Sequence, residues 1–586
     1  MAGVGTTAVT RDVEEKPAGD GVDGNGDGTS APPELARSFL AWGVGSYLVT
    51  TLVIVGISWL VTGRELVFVV DDPAIHLSVA ENLVHHGTWG VEPGHFQSAS
   101  SSPLWTLLLA AWIAVVPGPD VLALLALNVA AGAGVVAVFA AVQRVLWPSR
   151  SRALDAVAVA VLVNVILFLP GLAMTGMEHT LHMALVLGAV VLFHRTVLGR
   201  PVPGPRWMCH VVLALATLAR FETAFVAAGI ALALLATQPG VSPGGVRWLT
   251  WARVRGPALA VAAAVVPLAG FALFNSAMGQ GLLPNSVTAK TAVSGEGTAS
   301  GILTGFLARF GQDALVAALA GVMAVALIMA GRRLASWSFP AIVLIVTVVL
   351  HAMLARIGWY ERYQAYLIAI GLYAVLCLMA EVLPHASLPP ARTFVVPALV
   401  AVMLMFSGNK PSGVINAPRN ADETYDQRYQ AARFLARYYE GEPVATGELG
   451  YISLLHDGPI TDLFGLGDYE VLQAWNSAGG RPDAEFFADL AERRGFEVVV
   501  VYAITLFDEV PEEWIAVGSW DAGRKLTTAP DRRMDLYATT PEAVRPLREH
   551  LIEFADELPA GVETEFNELA EFRADELALG EPADGG

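Results

Sequence analysis

Apolar residues gather along this chain in long runs separated by short polar segments. Runs of membrane length fall near 37–62, 119–146, 153–170, 179–198, 256–275, 312–331, 337–355, 363–383 and 392–407. A helix needs about 20 apolar residues to cross the hydrocarbon layer. The run 207–237 is longer than one span and is interrupted by "ARFET", which predicts two short helices meeting at Arg220–Glu222. The run 103–116 is short for a crossing, bracketed by Pro103 and "PGPD", and is predicted to lie at the interface. The pattern is that of an all-α polytopic membrane bundle of about eleven spans over 37–407, with a first external loop at 63–118. After Phe406 the pattern changes. "EPVATGELG" and "GPITDLFGLG" read as strands ending in glycine-rich turns, "AEFFADLAERRG" as an amphipathic helix, and "EVVVVYA" as a buried strand. Their alternation predicts a soluble α/β domain over 410–550.

Arginine placement sets the orientation. With 103–116 at the interface and 207–237 turning back on itself, Arg144, Arg150 and Arg152 share a face with Arg195, Arg200 and Arg206, with Arg247, Arg253 and Arg255, and with Arg332 and Arg333. Basic loops stay cytoplasmic. The N-terminus is then cytoplasmic and the C-terminal domain extracytoplasmic, as expected for a multi-pass protein of the cell membrane. The short polar motifs "DDPAIH", "SASSSP", "TGMEHT", "ARFET", "LLPNSVTAK" and "ARIGWYERY" all collect on the external face, which predicts one shared site there.

Composition agrees. Of 586 residues, 54% are hydrophobic and only 16% charged, and the mean hydropathy is +0.52. Much of the formal net charge of −19 sits in an acidic head over 1–36 and an acidic tail over 551–586, both expected to be solvated and disordered. No basic footprint for nucleic acid is present. Cys209 and Cys377 both fall inside apolar runs, so a disulfide framework is not expected.

Asp71 and Asp72 follow directly on the first span. One acid suits a helix N-cap before Pro73. The second has no such duty, and a paired acid at a membrane surface suits general-base work. Glu178 reads either as a solvated helix-end acid or as a site group. Glu222, beside Arg220, reads either as an ion pair within the bundle or as a substrate ligand. His76, His85, His86, His95, His179 and His182 share this face without a compact ligand spacing such as HExxH. No dedicated metal site or certain cofactor is therefore expected, and an assisting divalent cation is left open. Lys290, Arg356 and Arg362 run against the orientation rule and need a local reason. Holding a phosphate at the membrane boundary is one; pairing with Glu361 or the aspartates is the other. Trp359, Tyr360 and Tyr363 suit an interfacial belt or sugar stacking. An acid base with phosphate-reading cations, and no Walker-type loop, points to a substrate that carries its own activated bond in the bilayer. A transporter or flippase of a lipid-linked saccharide would share the helices but form no covalent product. A non-catalytic scaffold would leave the acids without a purpose.

The order of "DD" after the first helix, "SSPLW", "TGMEH", "ARFET", "LLPN…AK" and a late "RY" resembles the GT-C class of membrane glycosyltransferases. It is most similar to bacterial polyprenyl-phosphate-sugar enzymes, including arabinofuranosyltransferases of cell-wall biogenesis, over most of 37–407. The resemblance implies inverting transfer from a polyprenyl-phosphate-linked sugar donor to an acceptor polysaccharide or glycolipid. The first-loop acid would be the base and the lipid phosphate the leaving group. Carried over by position, Asp71 is the base, Asp72 its partner, and Glu178 the acid after the third span. Lys290, Arg356 and Arg362 match as donor-phosphate ligands, and with His76, Glu178, His179, Arg220, Glu222, Asn285 and Tyr360 they make up the substrate-binding candidates. The chain departs from the pattern at "ARFET", where Arg-Pro-Glu is usual, and at His179 after Glu178; both bear on the donor sugar more than on the reaction. The resemblance also gives 103–116 the part of a juxtamembrane helix. Ser98–Ser102 would line the sugar pocket or lead into that helix, and the C-terminal domain would bind acceptor or cover the site.

Overall fold

The computed structural model describes residues 33–142, 152–237, 251–285, 299–331, 335–382, 392–477, 482–502 and 509–579, with the isolated positions 288, 504 and 506. Among them, six helices are long and apolar enough to cross a membrane: Arg37–Val61, Val121–Val142, Asp155–Ala173, His179–Val197, Arg253–Ala277 and Ala365–Val382. Met208–Ala219, Thr223–Thr237, Ala314–Ala330 and Ser338–Leu354 are apolar but shorter. Polar motifs cut these runs short. The run 207–237 divides around Arg220–Glu222, where the sequence predicts, and Arg220 is extended at φ −157° and ψ 135°. Helices satisfy their own backbone groups, the condition for surviving in lipid. Their inward faces build one apolar core that includes Tyr47, Phe139, Phe193, Phe339 and Tyr373. Leu52, Leu60, Ile328 and Met329 face outward.

The Pro103–Val115 helix has 13 residues and packs on the Asp72–His86 helix. A helix absent from the sequence reading, Ala299–Gln312, precedes Ala314–Ala330. Between the two, the Asp313 carboxylate accepts from the backbone N–H groups of Leu315 and Val316 at 3.0 Å, an N-cap that starts the second helix.

Beyond the bundle, helices Lys410–Ile415 and Ala417–Thr424, a π-helical turn at Tyr425–Tyr429 and the helix Gln430–Tyr438 lead to a six-stranded sheet. Its strands are β1 (Val444–Thr446), β2 (Ile460–Asp462), β3 (Val498–Val501), β4 (Ile515–Asp521), β5 (Arg533–Ala538) and β6 (Glu563–Phe566), in the order β2-β1-β3-β5-β4-β6. β1 runs parallel to β2 and β3, while the β3–β5, β5–β4 and β4–β6 pairs are antiparallel. Val498 and Val500 pack into one apolar cluster and Val499 and Val501 into another. Burial on both faces explains the unbroken valine run.

One boundary differs from expectation. The acidic tail is not a solvated segment from 551. The helix Pro541–Ala555 runs through that point, β6 adds an edge strand to β4, and the helix Ala570–Leu579 buries Ala570 and Ala574. Leu551, Phe554, Val562, Ala570 and Ala574 of this stretch are buried, while Ile552, Leu569 and Phe572 are exposed. Residues 1–32 and 580–586 of the expected head and tail lie outside the described residues. The soluble domain packs directly on the first loop. Ala74, Ile75 and Val79 of the Asp72–His86 helix belong to the same apolar cluster as Val444, Val500 and Trp520. Ser78 Oγ donates to the Ser453 carbonyl at 2.8 Å, and the Phe68 N–H donates to Tyr451 Oη at 3.0 Å.

Candidate active site

The chain reaches Asp71 along a segment pinned to "TGMEHT". The Val69 N–H donates to the Met174 carbonyl at 3.0 Å. Gly176 has φ +65°, and a Cβ there would lie 2.9 Å from Pro73 and 3.0 Å from Phe68, so only glycine fits this crossing. Asp71 stands at the N-cap of the Asp72–His86 helix, yet its side chain makes no capping hydrogen bond. Pro73 supplies the helix start instead. The Asp71 carboxylate lies 3.8 Å from Nε of Arg428 in the soluble domain. Asp72 forms an ion pair with Arg362.

Both aspartates line a cavity of about 500 Å³ between the bundle and the soluble domain. The bundle contributes Arg309, Gln312, Arg356, Arg362 and Tyr363, and the soluble domain Arg428, Glu448, Phe464, Leu466 and Thr528. Four guanidinium groups thus surround three carboxylates, one more cation than anions. Asp72 engages Arg362, and Glu448 engages Arg428 at 2.6 Å. Arg428 also donates to the Thr528 carbonyl at 2.9 Å and lies over the Tyr502 ring. Burial works against the Arg428 charge, but Glu448 and Asp71 more than restore it. Burial pushes the Glu448 carboxyl up to about 7; Arg428 pulls it down, and Asp71 and Asp72 push it further up.

Five candidates form a second, buried network. Arg220 Nη1 donates to Glu178 Oε1 at 2.5 Å and lies 3.0 Å from His179 Nε2, while Nη2 donates to Glu222 Oε1 at 2.5 Å. His76 Nε2 lies 3.8 Å from Glu178 Oε2, and its Nδ1 is 3.0 Å from Ser100 Oγ. Glu178 is fully buried and does not line the cavity. Glu222 pairs with Arg220 and, like Glu178, is not among the residues lining the cavity; Ser98, Ser100 and Ser102 are buried. Tyr363 connects the two groups: the Arg220 and Arg362 guanidinium carbons lie 5.3 and 5.1 Å from its ring centre.

The segment carrying Arg356 and Arg362 is strained. Trp359, Tyr360 and Glu361 have φ of 45°, 61° and 59° after Gly358 at 93°. A left-handed run of non-glycine residues costs about 1–2 kcal/mol per residue and persists where its surroundings over-determine it. Here Gly358 N–H donates to Gln364 Oε1 at 2.9 Å and Tyr360 Oη to the Gly413 carbonyl at 2.8 Å. Buried Lys410 reaches Glu361 at 2.7 Å and Asp313 at 3.0 Å, and Gln364 Nε2 donates to the same two carboxylates. Tyr360 is thus a brace outside the cavity lining rather than a group facing it. Asn285 is also away from the cavity, its N–H donating to the Ser98 carbonyl at 3.0 Å. Lys290 lies outside the described residues.

Arg309, Arg428 and Glu448 escaped the sequence reading. Arg309 rides on the unexpected Ala299–Gln312 helix, and its Nη1 donates to the Ala352 carbonyl at 3.1 Å. Arg428 sits on the π-helical turn, a local widening frequent at functional sites that leaves no pattern in sequence. Among the described residues no group of three or more His, Cys, Asp or Glu side chains is arranged to hold a metal ion.

Residues 419–538 match a family model described as a domain of unknown function, DUF8728. No curated protein matches the sequence significantly. In overall chain path the protein is similar to the oligosaccharyltransferase of Archaeoglobus fulgidus in the apo form, at 13% identity and a TM-score of 0.45 over 88% of this chain and 78% of that one. The same archaeal enzyme, AglB, in complex with an inhibitory peptide and a dolichol-phosphate matches at 13% identity and a TM-score of 0.42, over 88% of this chain and 78% of that one. ArnT from Cupriavidus metallidurans in the apo state matches at 13% identity and 0.45, over 85% of this chain and 98% of that one. Likenesses at this level fix no chemistry, which has to come from the residues of this chain.

Proposed function

We propose that the protein is an integral membrane glycosyltransferase that moves a sugar from a polyprenyl-phosphate donor to an acceptor glycan or glycolipid outside the cell membrane. The observation that carries the reading is Asp71, a carboxylate released from helix capping and set in a cavity with four arginines. Asp71 takes the proton of the acceptor hydroxyl, whose oxygen attacks the anomeric carbon. The bond from that carbon to the phosphate oxygen breaks, the polyprenyl phosphate leaves, and the anomeric configuration inverts. Arg309 and Arg356 stabilise the charge gathering on the departing phosphate, by the same electrostatics that serve other developing anions. Arg362 holds Asp72 and, through it, the start of the Asp72–His86 helix. The resemblance to arabinofuranosyltransferases supports a pentofuranosyl donor of cell-wall assembly as the first to try.

The test is purified full-length protein in lipid, supplied with labelled polyprenyl-phosphate sugars and candidate acceptors, with and without a chelator. Sugar transfer by the wild type, abolished in folded Asp71→Asn, is the expected result. Wild-type rates in Asp71→Asn remove Asp71 from the base role. Lipid movement across the bilayer without transfer makes the protein a flippase instead.

A further inference from the structure

The soluble domain presses two features directly on Asp71. The first is a close backbone approach. Gly450, in the short Leu449–Leu455 helix, sits so near that a Cβ would lie 2.5 Å from the Asp71 carbonyl oxygen, 2.6 Å from its Cβ and 2.7 Å from Oδ2. The second is a shared cation. Arg428 Nε stands 2.6 Å from Glu448 and 3.8 Å from Asp71, so one buried guanidinium serves two carboxylates and is closer to Glu448. Both belong to the part of the chain matched by the domain of unknown function.

From this geometry we infer that this domain is a working part of the catalytic centre: Gly450 sets the position of the Asp71 carboxylate, and Glu448 holds Arg428 back from it. The inference rests on the proposed glycosyl transfer, in which Asp71 is the base. Glu448 and Gly450 are then positioning residues, acting through Asp71 and Arg428.

The arrangement has a direction. Ionised Glu448 keeps Arg428 in its own ion pair. Protonated Glu448 cannot, and the guanidinium turns to Asp71, where a direct pair makes that carboxylate a poorer proton acceptor. The groups facing Glu448 are Arg428 from the π-helical turn, Asp71 and Asp72 from the first loop, and Tyr502 from the end of β3. Burial lifts the Glu448 carboxyl to about 7, so the switch falls where transfer is assayed. Transfer should rise with pH through this range as Glu448 ionises. Glu448→Gln, locked in the neutral form, should lack that limb.

The experiment uses the full chain in lipid nanodiscs, with the wild type, Glu448→Gln and Gly450→Ala compared by two readouts. The first is the pH–rate profile of transfer. The inference predicts that Glu448→Gln loses the limb near neutrality and that kcat falls at least about tenfold in both variants, with KM for the donor within about twofold. The second readout needs no substrate: carbodiimide labelling of carboxylates, mapped by mass spectrometry, with exposed Asp489 as reference. Labelling at Asp71 should slow several-fold in Glu448→Gln, as Arg428 closes on it. Should Gly450→Ala fail to fold, Glu448→Gln decides alone. Unchanged labelling of Asp71 together with an unchanged pH limb overturns the inference. A wild type that transfers no sugar from any donor overturns the functional reading instead, and the labelling result then decides the positioning by itself.

Discussion

Lys410→Met removes one ammonium group from a place where two carboxylates need it. The Lys410 and Asp313 side chains are 2% and 3% exposed, so solvent screens their contact little. Asp313 and Glu361 are both held by Lys410 Nζ and by Gln364 Nε2, and without the lysine they face each other across one amide. Breaking a buried pair by deleting one partner costs about 3–5 kcal/mol. The same lysine braces three left-handed residues whose backbone stores about 3–6 kcal/mol, so the loss falls on the turn that leads to Arg362. At about 2–4 °C per kcal/mol for a cooperative unit of 150–250 residues, the thermal midpoint should drop by roughly 10 °C, and transfer should drop with it. The assay is thermal unfolding in nanodiscs by intrinsic fluorescence, with the triple variant Lys410→Met, Asp313→Asn, Glu361→Gln beside the single one. Asparagine keeps the N-cap that Asp313 provides, so the triple variant should regain most of the loss. A single variant that unfolds within a degree of the wild type refutes the argument. So does a triple variant that unfolds no higher than the single.

Arg362→Met leaves Asp72 without its ion-pair partner at the mouth of the first-loop helix, and transfer should fall about 100-fold, near 2.7 kcal/mol of barrier; a loss below threefold removes Arg362 from the machinery. Arg220→Met strands fully buried Glu178 together with Glu222 and should lower stability by about 3–5 kcal/mol, while adding Glu178→Gln and Glu222→Gln restores folding; thermal midpoints of the single and triple variants against the wild type check it. Asp426, beside Asp422 and Arg524, has its carboxyl pushed up to about 7, first by burial and then by Asp422. A carboxyl raised in the fold contributes stability that is full below its unfolded pKa and is lost as pH rises through the folded one. The midpoint should therefore decline from about pH 4 to about pH 7, and Asp426→Asn should flatten that decline; an unchanged pH slope contradicts the reading.

Much of the bundle was legible because lipid leaves few alternatives: an apolar run of about 20 residues has little option but a helix. The break at Arg220–Glu222 and the buried strand of four valines were visible for the same reason, as departures from a strict pattern. Asp71 and Asp72 stood out because a carboxylate pair beside a membrane needs a cause. Arg428 and Glu448 were hidden because they lie some 350 residues from Asp71 in sequence, and only the fold of the soluble domain against the first loop brings them together. Arg309 was hidden on an amphipathic helix too short and mixed to read as a span. The edge strand β6, "ETEF", looks like solvated acid until the pairing with β4 turns alternate residues outward. Glu178 and Glu222 show the converse: their residue types suggest a site, and the fold pairs both with Arg220 outside the cavity lining.

The most direct test is a structure of the full-length protein in lipid with an unreactive phosphonate analogue of the polyprenyl-phosphate sugar that it transfers. The account predicts the phosphorus group within hydrogen-bond reach of Arg309 or Arg356 inside the cavity. It also predicts Asp71 placed to take a proton from a hydroxyl at the anomeric carbon, at about 2.6–3.2 Å or through one water. A phosphorus group bound elsewhere, or an anomeric carbon screened from Asp71 by protein, contradicts it.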